Sequence, residues 1–259
     1  MPHISYSELK IWKECAWKHK LEYIDGLRSF RGNEFTAFGT ALHTLCEEQV
    51  KGTLTEGFSD VFDREFLKEL QKLPKDLELR QDLIASMRDQ GKVLAPMVMP
   101  HLRKYFGNFT LVSTEEMLME AITSEHFPDK KYKFKGFIDL VLKTEDGKYH
   151  VIDWKTCSWG WDAKRKADKM TCYQLVLYKN FFSQKHGIDP KDIDTHFALL
   201  KRTAKNNQIE IFRVTSGQKR IKNSLDMLEA SVYNIINKNY IKNRLACQYC
   251  PYYKTEHCT

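Results

Sequence analysis

Three charged residues stand inside two of the most apolar stretches of the chain. Asp139 closes Gly136-Phe137-Ile138-Asp139, and Asp153 and Lys155 flank Trp154 in Val151-Ile152-Asp153-Trp154-Lys155-Thr156. A buried charge is costly unless it is paired or holds a metal ion. An Asp-x-Lys on a half-exposed hairpin would be an ordinary salt bridge, but here the flanking positions are apolar on both faces. In a strand Asp153 and Lys155 share a side, roughly 7 Å apart, while Trp154 faces the other layer. Two carboxylates with a neighbouring backbone carbonyl, that of Trp154, suit Mg²⁺ or Mn²⁺, which prefer oxygen ligands and keep several waters. A lysine beside such an ion can activate a bound water or offset charge growing on a phosphate.

That chemistry requires both carboxylates on one face of a hairpin. Asp146-Gly147 breaks the two strands, whose β-branched and aromatic residues read as extended chain. A two-residue turn would set Asp139 opposite Trp154 and send Asp153 to the other side, because a one-residue slip inverts every side chain. A three-residue loop, Glu145-Asp146-Gly147, instead puts Asp139 across from Asp153 at about 5 Å between Cα atoms. The expectation is therefore the longer loop, with Gly147 at positive φ.

Around the hairpin, Ser5 with Glu8 predicts a capped first helix carrying Cys15. Gly39 to Gln49 read as a second helix, with His43 and Glu47 on one face. Residues 58–106 predict two or three helices, broken by Pro74, Gly91, Pro96 and Pro100. Phe109 to Ile122 predict a strand, on which Glu120 is a candidate further carboxylate for the metal or its surroundings. After the hairpin, Trp159 and Trp161 lie beside Lys164, Arg165, Lys166 and Lys169, a mixture suited to phosphate contacts and base stacking. A helix from about Met170 to Gln184 sets Gln174 and Tyr178 on one face. Thr195–Arg202 and Gln208–Thr215 predict another hairpin, and Ser216 is expected to cap a last helix to about Asn243.

The tail carries a second constellation. Cys247 and Cys250 form a C-x-x-C, and Cys258 follows shortly after, a spacing that points to a metal. The chain has 259 residues, net charge +7 and seven cysteines. The mild basicity fits a polyanionic partner. No apolar run approaches a membrane span of about 20 residues. The odd cysteine count and the absence of a secretory pattern predict reduced thiols in a cytoplasmic protein.

Gly136-Phe137-Ile138-Asp139 followed by Val151-Ile152-Asp153-Trp154-Lys155-Thr156 resembles the core of the PD-(D/E)XK nucleases, in their RecB-like branch. Phe38-Gly39-Thr40-Ala41-Leu42-His43 is similar to that branch's upstream helix, and Gln174 to Tyr178 is similar to its Q-x-x-x-Y motif. The resemblance implies an α/β fold with a central mixed sheet flanked by helices. It implies a metal held by His43, Asp139, Asp153 and the Trp154 carbonyl, with Lys155 at the attacking water. Gln174 and Tyr178 would then face bound DNA, with Lys164 and Arg165 as further contacts. The branch with a four-cysteine iron–sulfur cluster, which includes AddB-type and CRISPR-associated adaptation exonucleases, implies a [4Fe-4S] cluster on Cys15, Cys247, Cys250 and Cys258. The gap before Cys258 departs from that pattern, which keeps Zn²⁺ and a His257 ligand open.

The expected organisation is one nuclease domain over 1–259. Its core spans about 30–54 and 107–216, with a helical insertion at about 55–106. The cysteine-rich segment 217–259 packs with the N-terminal helix at 5–25. The expected function is metal-dependent DNA cleavage, as an exonuclease on single strands or duplex ends in recombination, repair or phage and CRISPR DNA processing. The alternative is a non-catalytic DNA-binding or scaffold module of such a complex. No G-x-x-x-x-G-K-S/T motif occurs, so unwinding would fall to a helicase or recombination partner.

Overall fold

The computed structural model describes residues 2–27, 30–54, 56–128 and 132–259. A short strand β1 (His3–Ser5) leads into α1 (Tyr6–Glu14) and α2 (Ala16–His19), which runs on as a π-helical turn at Lys20–Ile24. Ser5 caps α1 as expected, accepting the Glu8 amide at 3.2 Å. The Glu8 carboxylate does not return the bond but reaches His19, fully buried, at 2.8 Å. The second helix, α3 (Glu34–Lys51), starts well before Gly39, because Asn33 and Thr36 exchange bonds as a reciprocal cap.

Three helices occupy the expected insertion, α4 (Phe58–Gln71), α5 (Gln81–Leu94) and α6 (Val98–Phe106). Phe62, Phe66, Met87 and Leu102 from them pack with Phe38 and Leu42 of α3 against Leu140, Leu142, Ile152 and Trp154. The segment is thus half of the molecule's second core, a whole layer over one face of the sheet. The remaining elements are β2 (Phe109–Ala121), β3 (Lys133–Thr144), β4 (Tyr149–Cys157), α7 (Ala163–Ala167), α8 (Lys169–His186), β5 (Ile193–Lys201), β6 (Ile209–Val214) and α9 (Gln218–Ile236). α8, α9 and α1 cover the opposite face through Leu175, Phe181, Leu228, Val232 and Leu9. The last helix departs from expectation at both ends. Gly217 rather than Ser216 is its N-cap, and it stops at Ile236. Lys238 then turns through φ 56° and sends the chain back toward the N-terminus.

The sheet is mixed, in the order β1-β3-β4-β5-β6 with β2 added on β3. Pairs Leu140–Ile152 to Lys143–Tyr149 fix the β3–β4 register, which continued one step sets Asp139 against Asp153. The loop is the three-residue one: Thr144 donates to the Lys148 carbonyl at 3.0 Å, and Gly147 sits at φ 83°. β2 lines one edge of β3 from Lys133 to Thr144, so β1 and β4 must share the other. β1 takes Lys133–Lys135 and β4 takes Leu140–Lys143. Gly136 to Asp139 lie between them, in a fork where, among the described residues, no strand pairs with that edge of β3.

Candidate active site

The fork explains where Asp139 goes. Beyond Ile152, β4 has left β3, and the amide of buried Trp154 would lack a partner on that edge, which interiors rarely tolerate. Asp139 Oδ2 accepts it at 2.7 Å. The carboxylate is thereby fixed at the apex of the fork, facing β4. Gly136 serves the same junction: a Cβ there would meet the Tyr178 ring at 2.8 Å, so only glycine lets α8 close this tightly.

Asp153 is 2 % exposed. Its Oδ1 accepts from Gln174 Nε2 at 2.8 Å, and the same nitrogen lies 3.2 Å from Tyr178 Oη. Its Oδ2 has Lys155 Nζ at 2.6 Å as an ion pair but no aligned hydrogen bond. His43 Nδ1 is 3.7 Å from Asp139 Oδ2. Burial raises both carboxyls above their ordinary range; for Asp139 the Asp153 charge adds to it, and Lys155 opposes it in both. Burial first and Lys155 second push His43 down to about 4, against a hydrogen bond with the Trp154 backbone. Its side chain is 27 % exposed to the cleft, so the protein on its other sides causes the depression. At neutral pH the imidazole is uncharged and has a lone pair free for a ligand.

These groups fit a hard divalent ion. Asp153, whose Oδ2 meets the Lys155 ammonium, a second carboxylate facing it and a neutral imidazole form such a donor set. Among the described residues no three His, Cys, Asp or Glu stand close enough together to hold one metal ion.

A residue missed in the sequence shares this cleft. Glu115 lies on β2 level with Asp139, bracketed by the pairs Thr114–Leu140 and Glu116–Ile138. It lines one opening of the cleft with His43, Asp139 and Lys155. Burial, then the Glu47 and Asp153 charges, raise its carboxyl. Its φ of 46° is left-handed, and β2 slips register between Leu111 and Ser113. Strict alternation along this strand could not reveal either feature. Glu120, the carboxylate singled out on this strand, pairs instead with Phe134. Five positions at about 3.3 Å each set it roughly 16 Å along the strand from Glu115, and it lines neither opening of the cleft.

Gln174 and Tyr178 do line the cleft. Lys164 and Arg165 sit on α7 outside both openings, with Arg165 over the buried Trp161 ring at 4.6 Å. Trp159 is exposed.

Far from the cleft, Cys15, Cys247, Cys250 and Cys258 line one small pocket. Cys15 ends α1 in an extended conformation and begins α2, and that kink lets its Sγ accept the Asn243 amide at 3.4 Å. Trp17 Nε1 donates to the His257 carbonyl at 3.0 Å, while the His257 ring lies by Glu256 and does not line the pocket. Leu21, Tyr252 and Cys258 form a separate apolar cluster there, joining the two ends of the chain. The four cysteines thus share one pocket, but among the described residues they do not form a group placed to hold a metal ion.

The sequence matches the PD-(D/E)XK nuclease superfamily over residues 3–255. The chain belongs to that superfamily. The fold also resembles the crystal structure of a "Putative exonuclease" from Eubacterium rectale, with a TM-score of 0.60 and 14 % identity over 98 % of this chain and 88 % of that one. The structure of SSO0001 aligns at a TM-score of 0.38 and 18 % identity, covering 82 % of this chain and 91 % of that one. No curated protein matches the sequence. Among the described residues no helix is long and apolar enough to cross a membrane.

Proposed function

We propose that this protein is a metal-dependent deoxyribonuclease, acting as an exonuclease on single strands or duplex ends. The observation that carries the reading is the arrangement at the fork, where Asp139 and the ion-paired Asp153–Lys155 converge with His43 on one cleft. Keeping opposed carboxylates in a buried place is costly, and a cation is what makes the arrangement stable.

His43, Asp139, Asp153 and the Trp154 carbonyl would hold Mg²⁺ or Mn²⁺. The ion supplies a more acidic water and neutralises charge at the scissile phosphate. Lys155 stands against Asp153 with its ammonium toward the cleft, where it can orient the attacking water or donate to a phosphate oxygen. Hydrolysis forms a P–O bond to that water and breaks the P–O bond to the departing sugar, whose oxygen takes a proton. Gln174 holds Asp153 in place through Oδ1. Four cysteine thiolates would hold a [4Fe-4S] cluster, or Zn²⁺, and fasten the chain ends. Unwinding of long duplexes would fall to a partner protein.

Digestion of end-labelled linear and circular single strands with Mn²⁺ tests the reading. The linear strand should be degraded from its ends, the circle should persist, and Asp153→Ala should be inert. Wild-type protein that cleaves neither, or Asp153→Ala that cleaves both, refutes it.

A further inference from the structure

The catalytic cleft has two mouths. One opening is lined by Tyr6, Lys135, Phe137, Gln174 and Tyr178, the other by Phe35, Thr36, Thr40 and Glu115, and both contain His43, Asp139 and Lys155. The end of a strand lying across both openings would bring one of its phosphates to the carboxylates. Each mouth presents one large ring to water: Phe137 is 44 % exposed and Phe35 is 42 % exposed. Single exposed aromatics are common on any surface. These two flank the same three residues, and each has cations against it. Lys135 Nζ lies 6.0 Å from the Phe137 ring centre, and Arg202 and Arg80 lie 5.2 and 5.9 Å from that of Phe35. Arg202 is held there by Gln90 and Ser158.

We propose that the cleft is a trough for one strand of DNA, with Phe137 and Phe35 stacking bases on either side of the scissile phosphate. This rests on the nuclease reading and narrows its substrate. Unpaired bases offer faces to an aromatic ring, and neighbouring cations meet the flanking phosphates. Duplex bases are already stacked on each other and offer those rings nothing. Binding energy gained at both mouths therefore favours single-stranded DNA and holds its backbone across the carboxylates.

The test is fluorescence anisotropy with a labelled oligothymidylate in EDTA, where no cleavage occurs. Phe137→Ala and Phe35→Ala should each weaken strand binding by roughly five- to a hundredfold, the range for losing one stacked base. Phe137→Trp and Phe35→Trp should bind at least as tightly as the wild type. Phe58→Ala, an exposed ring on α4, should change nothing, and affinity for a blunt duplex should be equal in all variants. If an alanine variant fails to fold, the leucine variant keeps the apolar bulk without the stacking face and is read in its place. Wild-type affinity in folded variants of both rings overturns the trough, as does an equal loss on duplex. If the strand results come out as expected but wild-type protein with Mn²⁺ cleaves no DNA, the trough stands and the catalytic reading falls.

Discussion

Replacing Asp139 by asparagine should stabilise the metal-free protein while abolishing its response to metal. Asp139 and Asp153 stand one step past the last paired residues, Leu140 and Ile152, so the spacing of opposed residues, roughly 5 Å, is taken for their charges. Two unit charges at that separation repel by about 3 kcal/mol at an effective dielectric constant near 20. The Lys155 ammonium, 2.6 Å from Asp153 Oδ2, offsets part of this, leaving a net cost of about 1–2 kcal/mol for the second charge. The carboxamide of the variant would still offer an oxygen to the Trp154 amide that Asp139 now accepts at 2.7 Å, so the gain is not cancelled by an orphaned N–H. For a chain of this size the gain corresponds to roughly 2–8 °C in Tm. The sign with pH follows from burial and the Asp153 charge, which raise the Asp139 carboxyl in the folded state. A raised folded value contributes stability that is fully present below the unfolded value of about 4 and is lost as pH rises through the folded one. Wild type and Asp139→Asn should therefore melt together near pH 4 and separate as pH rises, with the variant higher. Adding Mn²⁺ at pH 8 should raise the wild-type Tm and leave the variant unmoved. Circular dichroism melts in EDTA and in Mn²⁺ measure both. A variant that melts below the wild type in EDTA at pH 8 would show that Asp139 is there for the Trp154 amide, and the metal reasoning would fail.

Lys155→Ala should reduce Mn²⁺-dependent cleavage by about 10²–10³-fold, as expected for one preorganised electrostatic group, while DNA affinity in EDTA stays near wild type. Cys15→Ala should lose bound metal as completely as Cys250→Ala, measured on anaerobically purified protein that should carry about four iron atoms per chain; zinc in their place identifies the alternative, and retained metal in Cys15→Ala refutes a shared site. His196 is 3 % exposed and bonded to His150 at 3.1 Å, and burial first, then His150, holds it down to about 3. A depressed histidine leaves stability intact above the unfolded value near 6.5 and drains it below. Acidification from pH 7 to pH 5 should thus cost about 2 kcal/mol through His196 alone; His196→Phe should flatten that part of the melting profile, and an unchanged pH slope counts against it.

The sequence made the hairpin legible because its register had a chemical criterion. Turn statistics alone allow either loop at Asp146-Gly147, whereas the need to bring two carboxylates together selects the pairing seen from Leu140–Ile152 to Lys143–Tyr149. The pocket shared by four cysteines follows what the resemblance to the iron–sulfur branch implied, which is where Cys15 came from; the break at Cys15 between two helices was not legible in the sequence. Helix ends were read less well. Asn33 and Thr36 cap α3 through bonds that leave no trace in apolar periodicity, and Ser216 loses the N-cap of α9 because its hydroxyl lies against Thr195. The role of residues 58–106 was out of reach for a similar reason. Amphipathic spacing shows that a helix has a buried face, not that the face will cover Leu140, Ile152 and Trp154.

Glu115 shows most directly how the fold and the site are tied. A glutamate in the left-handed region costs on the order of 1–2 kcal/mol and persists where its surroundings over-determine it. Here β2 is paired with β3 on both sides of the residue, and the slip between Leu111 and Ser113 sets the register of everything that follows. Pairing resumes at Ser113–Val141 and keeps one register past Glu115, so its left-handed backbone lies within the ladder at the level of Asp139, where β3 is about to lose β4 as a neighbour. The same fork that frees the Trp154 amide for Asp139 borders the cleft that Glu115 lines from β2 on the other edge of β3. A left-handed glutamate, a missing strand and buried carboxylates thus coincide at one level of the sheet, the level at which β3 passes from β1 to β4.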